Sequence, residues 1–357
     1  MTLVERILQI LPGSMNMGGI ECFLMEMYEN LDKSCYQFDF VVHSPEENYF
    51  EAEIQKMGGR VYHLLPKAKH IFKYKKELVK LMKNYNIIHI HSSYAFSYFE
   101  AKWAKQLGKK VVVHSHSSKQ LGKKLLVHKL LKKGFNNNID VKCAVSKKAA
   151  QFMFTKNSDV KLVFGFDTEK FTFSEKDRDD IRNKLGVKSN EYLVGCIARM
   201  DDQKDPLYTN EIFKRLIKVD GIRCIFVGEG KYKKSIMQQD HKDKIIFTGN
   251  VREPEKYLSA LDAYVLPTKH EGLGASIVEA EINGLKVYTS KEGTLEEVKI
   301  SNNLTVLSKR NMEDWVRRIL GDRKKKPQRT VDFQKYDNFD IVKCTKDMED
   351  IYNRCIS

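Results

Sequence analysis

The stretch 262–290, DAYVLPTKHEGLGASIVEAEINGLKVYTS, sets the fold. Residues 263–266 are a short apolar run of buried-strand type, closed by Pro267. A loop with Glu271, Gly272 and Gly274 follows, and the spacing after it predicts a helix from about Ala275 to Asn283, stopped by Gly284. Residues 286–289 read as the next strand. Strand, glycine loop, helix and strand make one βαβ unit of a parallel sheet. The loop then opens a helix at a strand's carboxyl end, where free N–H groups and the helix dipole favour an anion such as phosphate. Glu271 and Glu279 bracket the turn. Carboxylates accept hydrogen bonds from hydroxyls, so a ligand joining diphosphate to sugar suits both features. On spacing alone, a plain helix start with Glu271 as cap and Glu279 on a solvated face fits equally well.

The same rhythm extends in both directions. Upstream in this half, strands are expected at 192–198, 222–227 and 243–247, and downstream at 303–307. The first half repeats it, with strands at 6–11, 37–43, 60–64, 87–91, 110–114 and 139–145. Helical patterns fill the gaps at 19–31, 47–57, 71–85 and 94–107. Between the halves lies a polar, charge-dense stretch, 166–190, with a helix in it. The expected fold class is therefore α/β, with two Rossmann-like, doubly wound parallel-sheet domains facing a central cleft. The expected boundaries are 1–168 for the first domain and 169–334 for the second. A last helix within 335–357, after the basic linker 322–330, is expected to pack back on the first domain.

Length and composition agree with two domains. The chain has 357 residues, 42% of them hydrophobic, enough to build cores. No apolar run approaches the roughly 18–20 residues of a membrane-spanning helix. The N-terminus lacks a basic region and a small-residue cleavage site, so no signal peptide is expected. Seven cysteines without a CxxC read as free thiols of a reducing compartment, and a cytoplasmic location follows. The pairs His89/His91 and His114/His116 each share one strand face, but no cysteine or carboxylate lies close by in sequence, so no metal site is expected. The net charge of +15 suits nucleic acid, an anionic membrane or a phosphate-bearing small molecule. No helix-turn-helix, zinc-finger or ribonucleoprotein signature is present, and no nucleic-acid partner is expected.

Three further motifs fall at strand ends. In 194–206, VGCIARMDDQKDP, Arg199 and Lys204 flank a turn and could neutralise a diphosphate, or simply be surface charges. In 11–21, LPGSMNMGGIE, Gly18 and Gly19 open a helix after the first strand, allowing close backbone approach to a ligand or only a tight turn. This is not GxGxxG, which argues against a dinucleotide dehydrogenase. His116 follows the strand 111–113, where it could meet a substrate hydroxyl. The stretch 119–133, KQLGKKLLVHKLLKK, places Leu126, Val127, Leu130 and Leu131 in one helical sector and Lys129, Lys132 and Lys133 in another. That pattern suits an anionic membrane surface or a half-buried helix.

Together these stretches resemble the retaining, nucleotide-sugar-dependent glycosyltransferases of family 4, which have the GT-B fold. The resemblance covers most of the chain. Gly18-Gly19-Ile20-Glu21 is similar to the family's glycine loop, and 87–91 (IIHIH) to its hydrophobic-His-x-His strand. His116 falls at its donor-contacting histidine, and 143–149 (CAVSKKA) is similar to its x-V-S segment. Arg199 and Lys204 match its R-x4-K pair, 226–230 (FVGEG) its V-G-x-G strand end, and Glu271 and Glu279 its E-x7-E motif. The resemblance implies that Glu271 and His116 are the catalytic residues, Glu271 contacting the transferred sugar and His116 the donor, and that Glu279 holds the ribose. It also implies diphosphate contacts from Arg199, Lys204 and the N–H groups of Gly274, Ala275 and Ser276, donor binding by Gly18 and Gly19, and the base near Val251. Two positions depart from the family pattern. Phe164 stands where an asparagine is common before Gly165, and Gly274 where many members carry proline.

The function implied is transfer of a sugar, with retention, from a nucleotide-diphosphate donor, UDP-linked by expectation, to a glycan or lipid-linked acceptor. The setting implied is bacterial surface polysaccharide or glycolipid synthesis; the stretch 119–133 and the net charge separately suggest a peripheral place on the inner face of the cytoplasmic membrane. No cofactor or metal is expected, because Arg199, Lys204 and a helix N-terminus replace a cation. The alternative activity is a nucleotide-sugar 2-epimerase, which also uses a GT-B fold.

Overall fold

The computed structural model describes residues 4–356 apart from 45, 121, 157–158, 240, 242 and 325–328. The middle of the basic linker, 325–328, thus lies outside the described residues, as does Leu121 in the Lys/Leu stretch. Contacts divide the chain into two units, 1–166 with 338–357, and 167–337.

The first unit alternates β1 (Glu5–Ile10), α1 (Gly19–Asn30), β2 (Tyr36–Val42), α2 (Glu51–Lys56), β3 (Arg60–His63), α3 (Lys67–Met82), β4 (Ile87–Ser92), α4 (Tyr98–Gln106), β5 (Lys110–Ser115), α5 (Gly122–Asn136), β6 (Val141–Ala144), α6 (Lys147–Met153) and β7 (Lys161–Leu162). The second runs α7 (Glu175–Lys184), β8 (Tyr192–Ile197), α8 (Pro206–Leu216), β9 (Ile222–Val227), α9 (Lys233–Met237), β10 (Ile245–Gly249), α10 (Pro254–Ala260), β11 (Ala263–Leu266), α11 (Ala275–Ile282), β12 (Lys286–Ser290), β13 (Leu304–Leu307) and α12 (Met312–Arg323). The last helix, α13 (Ile341–Ile356), belongs to the first unit.

Both sheets are parallel, in the orders β3-β2-β1-β4-β5-β6-β7 and β10-β9-β8-β11-β12-β13. Each order winds outward in two directions from its first strand, the Rossmann-like plan. The switch points fall between β1 and β4 and between β8 and β11. Strands such as 111–113 are apolar without alternation because helices cover both faces; Val111, Val112 and Val113 are fully buried.

Element boundaries differ from the sequence reading where local chemistry intervenes. The helix expected at 71–85 is preceded by a turn from Lys67, broken from it at His70 (φ −135°, ψ 44°), and it ends at Met82. The helix expected at 94–107 is a 3-10 turn, Ala95–Ser97, followed by α4. β7 has two residues, too few for any pattern to register.

α13 lays Met348, Ile351 and Tyr352 into the core formed by α1 and the first sheet, with Phe23, Leu24, Met27, Phe38 and Phe40. Gly165 is small because this helix runs against it: a Cβ there would stand 2.8 Å from Ile341 Cα. Phe164 stacks on Phe23 (4.9 Å between ring centroids, 10° between planes), so an apolar contact occupies the position where asparagine is common. The seven cysteines are free thiols.

Candidate active site

In the second unit the loops after β8 and β11 meet at the switch point. Lys204 Nζ donates to both oxygens of Glu271 (2.8 and 2.9 Å), and Gln203 Nε2 donates to Glu271 Oε2 (3.1 Å). The Gln203 carbonyl accepts from Lys269 N (2.8 Å) and Thr268 Oγ1 (3.0 Å), which ties the two loops by backbone as well. Glu271 is buried and the Lys204 side chain is only 15% exposed. Such a pair is neutral overall and holds a carboxylate and an ammonium in a small desolvated volume. Arg199 is not part of it. Its side chain is 64% exposed, with Nη2 3.3 Å from Asp201 Oδ2. The Arg199 loop is fixed by its neighbours: Met200 N donates to Glu229 O (2.8 Å), and a Cβ at Gly228 or Gly230 would strike Ala198 O or Met200 O at 2.2 or 2.5 Å. These two glycines of the FVGEG segment are therefore needed for close backbone approach.

α11 begins at Gly274, whose φ of +104° lies in the left-handed region. Proline, confined to φ near −65°, cannot take this backbone, which accounts for the departure at that position. Gly274, in the cap position three residues after Glu271, has no side chain to offer the first turn. The N–H groups of a helix's first turn form the end that favours anions. Glu279 is half-buried in the second turn of α11, and Val251 is half-buried just past β10, an edge strand.

In the first unit, α1 likewise begins at a glycine, Gly18, and the Glu21 side chain of its first turn folds back over that glycine. Neither Gly18 nor Gly19 has positive φ, and a Cβ on Gly19 would meet nothing within 4 Å. Nothing in the fold demands glycine at Gly19. By contrast α6, α7 and α12 are capped by Ser146, Ser174 and Asn311, each accepting from an N–H of the first turn.

His116 stands just past β5 and is half-buried. Its Nε2 is 2.9 Å from His91 Nδ1, and His91 Nε2 is 2.9 Å from Gln9 Oε1. Gln9 Nε2 donates to the Tyr352 hydroxyl (3.2 Å), which lies 2.8 Å from His89 Nδ1. His114 Nε2 lies 2.9 Å from the Val163 carbonyl. Register explains the seam: Gln9 pairs with His89, and His91 with His114, so all point to the face covered by α13. Ring nitrogens of His89, His91 and His114 come within 4.8 Å of one another. Of these, only His89 Nε2 and His114 Nδ1 are buried without a hydrogen bond. Two uncommitted nitrogens fall short of the three or four ligands of a zinc site. Burial pushes all four histidines well down from the usual range, His114 to about 3, so the rings are neutral.

Sequence reasoning missed Gln203, Gln9 and Tyr352. Gln203 sits inside the R-x4-K spacing, so the loop itself carried the signal. Gln9 was readable as a polar residue among the apolar Ile7, Leu8, Ile10 and Leu11, whereas Tyr352 is 343 positions away from it and no local pattern joins them.

The Lys/Leu stretch forms α5 from Gly122 onward, and its buried side is His128 and Phe135. Leu126 and Leu130 are 68% and 81% exposed, beside exposed Lys123, Lys129 and Lys133. The half-buried reading therefore fails for these two leucines. Lys132 leaves the basic set, since it donates to Gln151 O (3.1 Å) and is half-buried. Among the described residues no helix is long and apolar enough to cross a membrane.

Two doubly wound parallel sheets, with glycine-opened helices after the first strand of the first and at the switch point of the second, make the GT-B fold. Residues 17–161 match the family model described as Glycosyltransferase Family 4, and 177–331 match that described as glycosyl transferases group 1. The chain belongs to this family of glycosyltransferases. It is 25% identical over 310 residues to a Bacillus subtilis protein named as the glycosyltransferase EpsF, covering 80% of this chain and 79% of that one. It is 22% identical to the Staphylococcus aureus capsular polysaccharide biosynthesis glycosyltransferase CapH, over 95% of this chain and 96% of that one. In fold it is similar to Anabaena Alr3699/HepE, crystallised with UDP and glucose (TM-score 0.81, 17% identity, 97% and 99% coverage).

Proposed function

We propose that this glycosyltransferase moves a hexose, with retention of anomeric configuration, from a UDP-linked donor to a glycan or lipid-linked acceptor of a bacterial surface polysaccharide. The observation that carries this reading is the Lys204–Glu271 pair, joined by Gln203, beside the glycine-opened start of α11. Glu271 accepts hydrogen bonds from sugar hydroxyls. Lys204, Arg199 and the N–H groups of Gly274, Ala275 and Ser276 meet the diphosphate, Glu279 the ribose, and Val251 the base. Gly18, Gly19 and His116 contact the donor from the first unit. The bond from sugar C1 to the β-phosphate oxygen breaks and a bond to the acceptor oxygen forms on the same face. The acceptor's proton passes to the leaving phosphate, so no separate general base is required. Negative charge building on that phosphate is what Arg199 and Lys204 stabilise. The biosynthetic role of CapH and the UDP held by HepE support the choice of setting and donor.

Thermal unfolding with UDP, GDP, ADP and CMP, each with and without EDTA, tests the reading. A ligand at about 100 times its Kd adds roughly 2.7 kcal/mol of stability. UDP is expected to raise Tm, with the shift kept in EDTA and lost in Arg199→Ala. Turnover in Arg199→Ala is expected to fall about 100-fold or more. No shift with any nucleotide, or deuterium uptake at sugar C2 in place of transfer, would overturn it.

We further propose that the exposed Leu126/Leu130 face of α5, with Lys123, Lys129 and Lys133, rests on the anionic inner surface of the cytoplasmic membrane. Each lysine near such a surface contributes about 1 kcal/mol. Flotation with anionic but not neutral liposomes is expected, and to be lost when these three lysines become alanine. Flotation unchanged in that variant would remove α5 from the membrane contact.

A further inference from the structure

The hydrogen bonds around His116 run in a single line of five side chains, from β5 through β4 and β1 to α13 and back to β4. Each ring in it is neutral, so each carries one N–H. This makes the direction of every bond a matter of counting. Gln9 Oε1 only accepts, so the proton of the bond to His91 lies on His91 Nε2. His91 Nδ1 is then bare, and the 2.9 Å contact to His116 requires the proton on His116 Nε2. We propose that Gln9, acting through His91, fixes His116 as the Nε2–H tautomer, so that the nitrogen left for a ligand, Nδ1, is a hydrogen-bond acceptor. His116 would then receive a hydrogen bond from a sugar hydroxyl and not donate one to a phosphate or carbonyl oxygen.

The far end of the line sets its direction. The Gln9 amide is held by donating to the Tyr352 oxygen, and the Tyr352 proton goes to His89 Nδ1. His89 therefore carries its own proton on Nε2. The Val163 carbonyl fixes His114 as Nε2–H and leaves Nδ1 bare. The two ring nitrogens without partners, His89 Nε2 and His114 Nδ1, are thus one N–H and one lone pair. Their rings lie nearly parallel, with centroids 6.0 Å apart. Turning the Gln9 amide round would reverse every bond in the line. His116 would become a donor at Nδ1, and two bare nitrogens would be left in the same buried space, an arrangement of like partial charges. Tyr352 thus makes α13 part of the device: a helix from the end of the chain holds the glutamine that holds the histidine. Gln9, His91 and Tyr352 are positioning residues, none of them in the proposed donor contacts.

The inference rests on the reading that His116 touches the substrate, but its test is separable. Protein labelled with 15N-histidine reports, by two-bond proton–nitrogen correlation, which nitrogen of each ring is protonated; His116→Ala assigns the signal. Wild type is expected to show His116 and His91 as Nε2–H tautomers. Gln9→Glu, which still only accepts from His91, should keep that pattern. Gln9→Met, similar in size without either polar group, should give both tautomers for His116 and about a tenfold lower kcat/KM. A wild-type His116 protonated on Nδ1 overturns the proposal without any variant. An unchanged tautomer in Gln9→Met also overturns it, and where that variant does not fold, an unchanged tautomer in His91→Phe does. Full activity in His116→Ala would instead remove the substrate contact and leave the tautomer assignment standing.

Discussion

The first unit buries neutral histidines inside its sheet, whereas the second buries a carboxyl group, Glu281, at the end of α11. Glu281 Oε1 accepts from Ser301 N (3.0 Å) and Ser301 Oγ (2.7 Å), while Oε2 has no hydrogen bond. Desolvation pushes its carboxyl up to about 7. Both units exclude water from a titratable group, but the histidine is held bare of its extra proton and the carboxyl is held with one. Acid therefore acts on the two units with opposite sign.

The largest expected effect follows from that difference. Burial holds His89, His91 and His114 below the usual value of about 6.5. Below pH 6.5 the unfolded chain takes up protons that the folded unit refuses. The first unit is thus fully stable above that pH and loses, for three rings, up to about 4 kcal/mol per pH unit beneath it. Glu281 goes the other way. Its folded value is raised, so its contribution is complete below the ordinary 4.5 and is lost as pH rises through about 7, by up to about 1.4 kcal/mol per pH unit. The chain's two tryptophans supply the probes, since Trp103 is buried in the first unit and Trp315 in the second. Single-tryptophan variants, Trp315→Phe and Trp103→Phe, should show the first unit's fluorescence transition moving to lower temperature between pH 7 and pH 5. The second unit's transition should hold or rise. Two transitions that fall together with acid would break the comparison.

Legibility in the sequence also differed between the units. The strand–loop–helix order of both sheets was readable because period and punctuation are local properties: an apolar run, a glycine turn, an amphipathic helix. The second unit's candidate residues stood out for the same reason, since Arg199, Lys204, Glu271 and Glu279 fall in two short loops and one helix turn. Spacing did not reveal that Lys204 grips Glu271 while Arg199 faces solvent, because that depends on how two loops fold over each other. In the first unit the seam joins positions 9, 89, 91, 114, 116 and 352. The i, i+2 pairs were visible, but their partners were set by parallel register and by a returning helix, neither of which a local pattern carries. The hydrogen-bond partners Gln9 and Tyr352 stand 82 and 263 positions away from the histidines they hold.

The smallest effect distinguishes two kinds of helix start. Ser146 caps α6 with its hydroxyl on Ala149 N (3.1 Å), and a serine-to-alanine change at such a cap costs about 1 kcal/mol. Gly19 opens α1 with ordinary φ and open space where a side chain would go. Alanine there meets no atom and restricts the unfolded chain, so Gly19→Ala is expected to leave stability unchanged or raise it by up to about 1 kcal/mol. If the empty space is kept for a ligand, the same methyl group stands in the ligand's way, and the donor KM should rise several-fold at unchanged Tm. Thermal unfolding and steady-state kinetics on this one variant therefore separate the two explanations for a glycine. A fall in Tm with unchanged KM would make Gly19 a backbone requirement like Gly274, whereas a rise in KM alone would place a ligand at the start of α1.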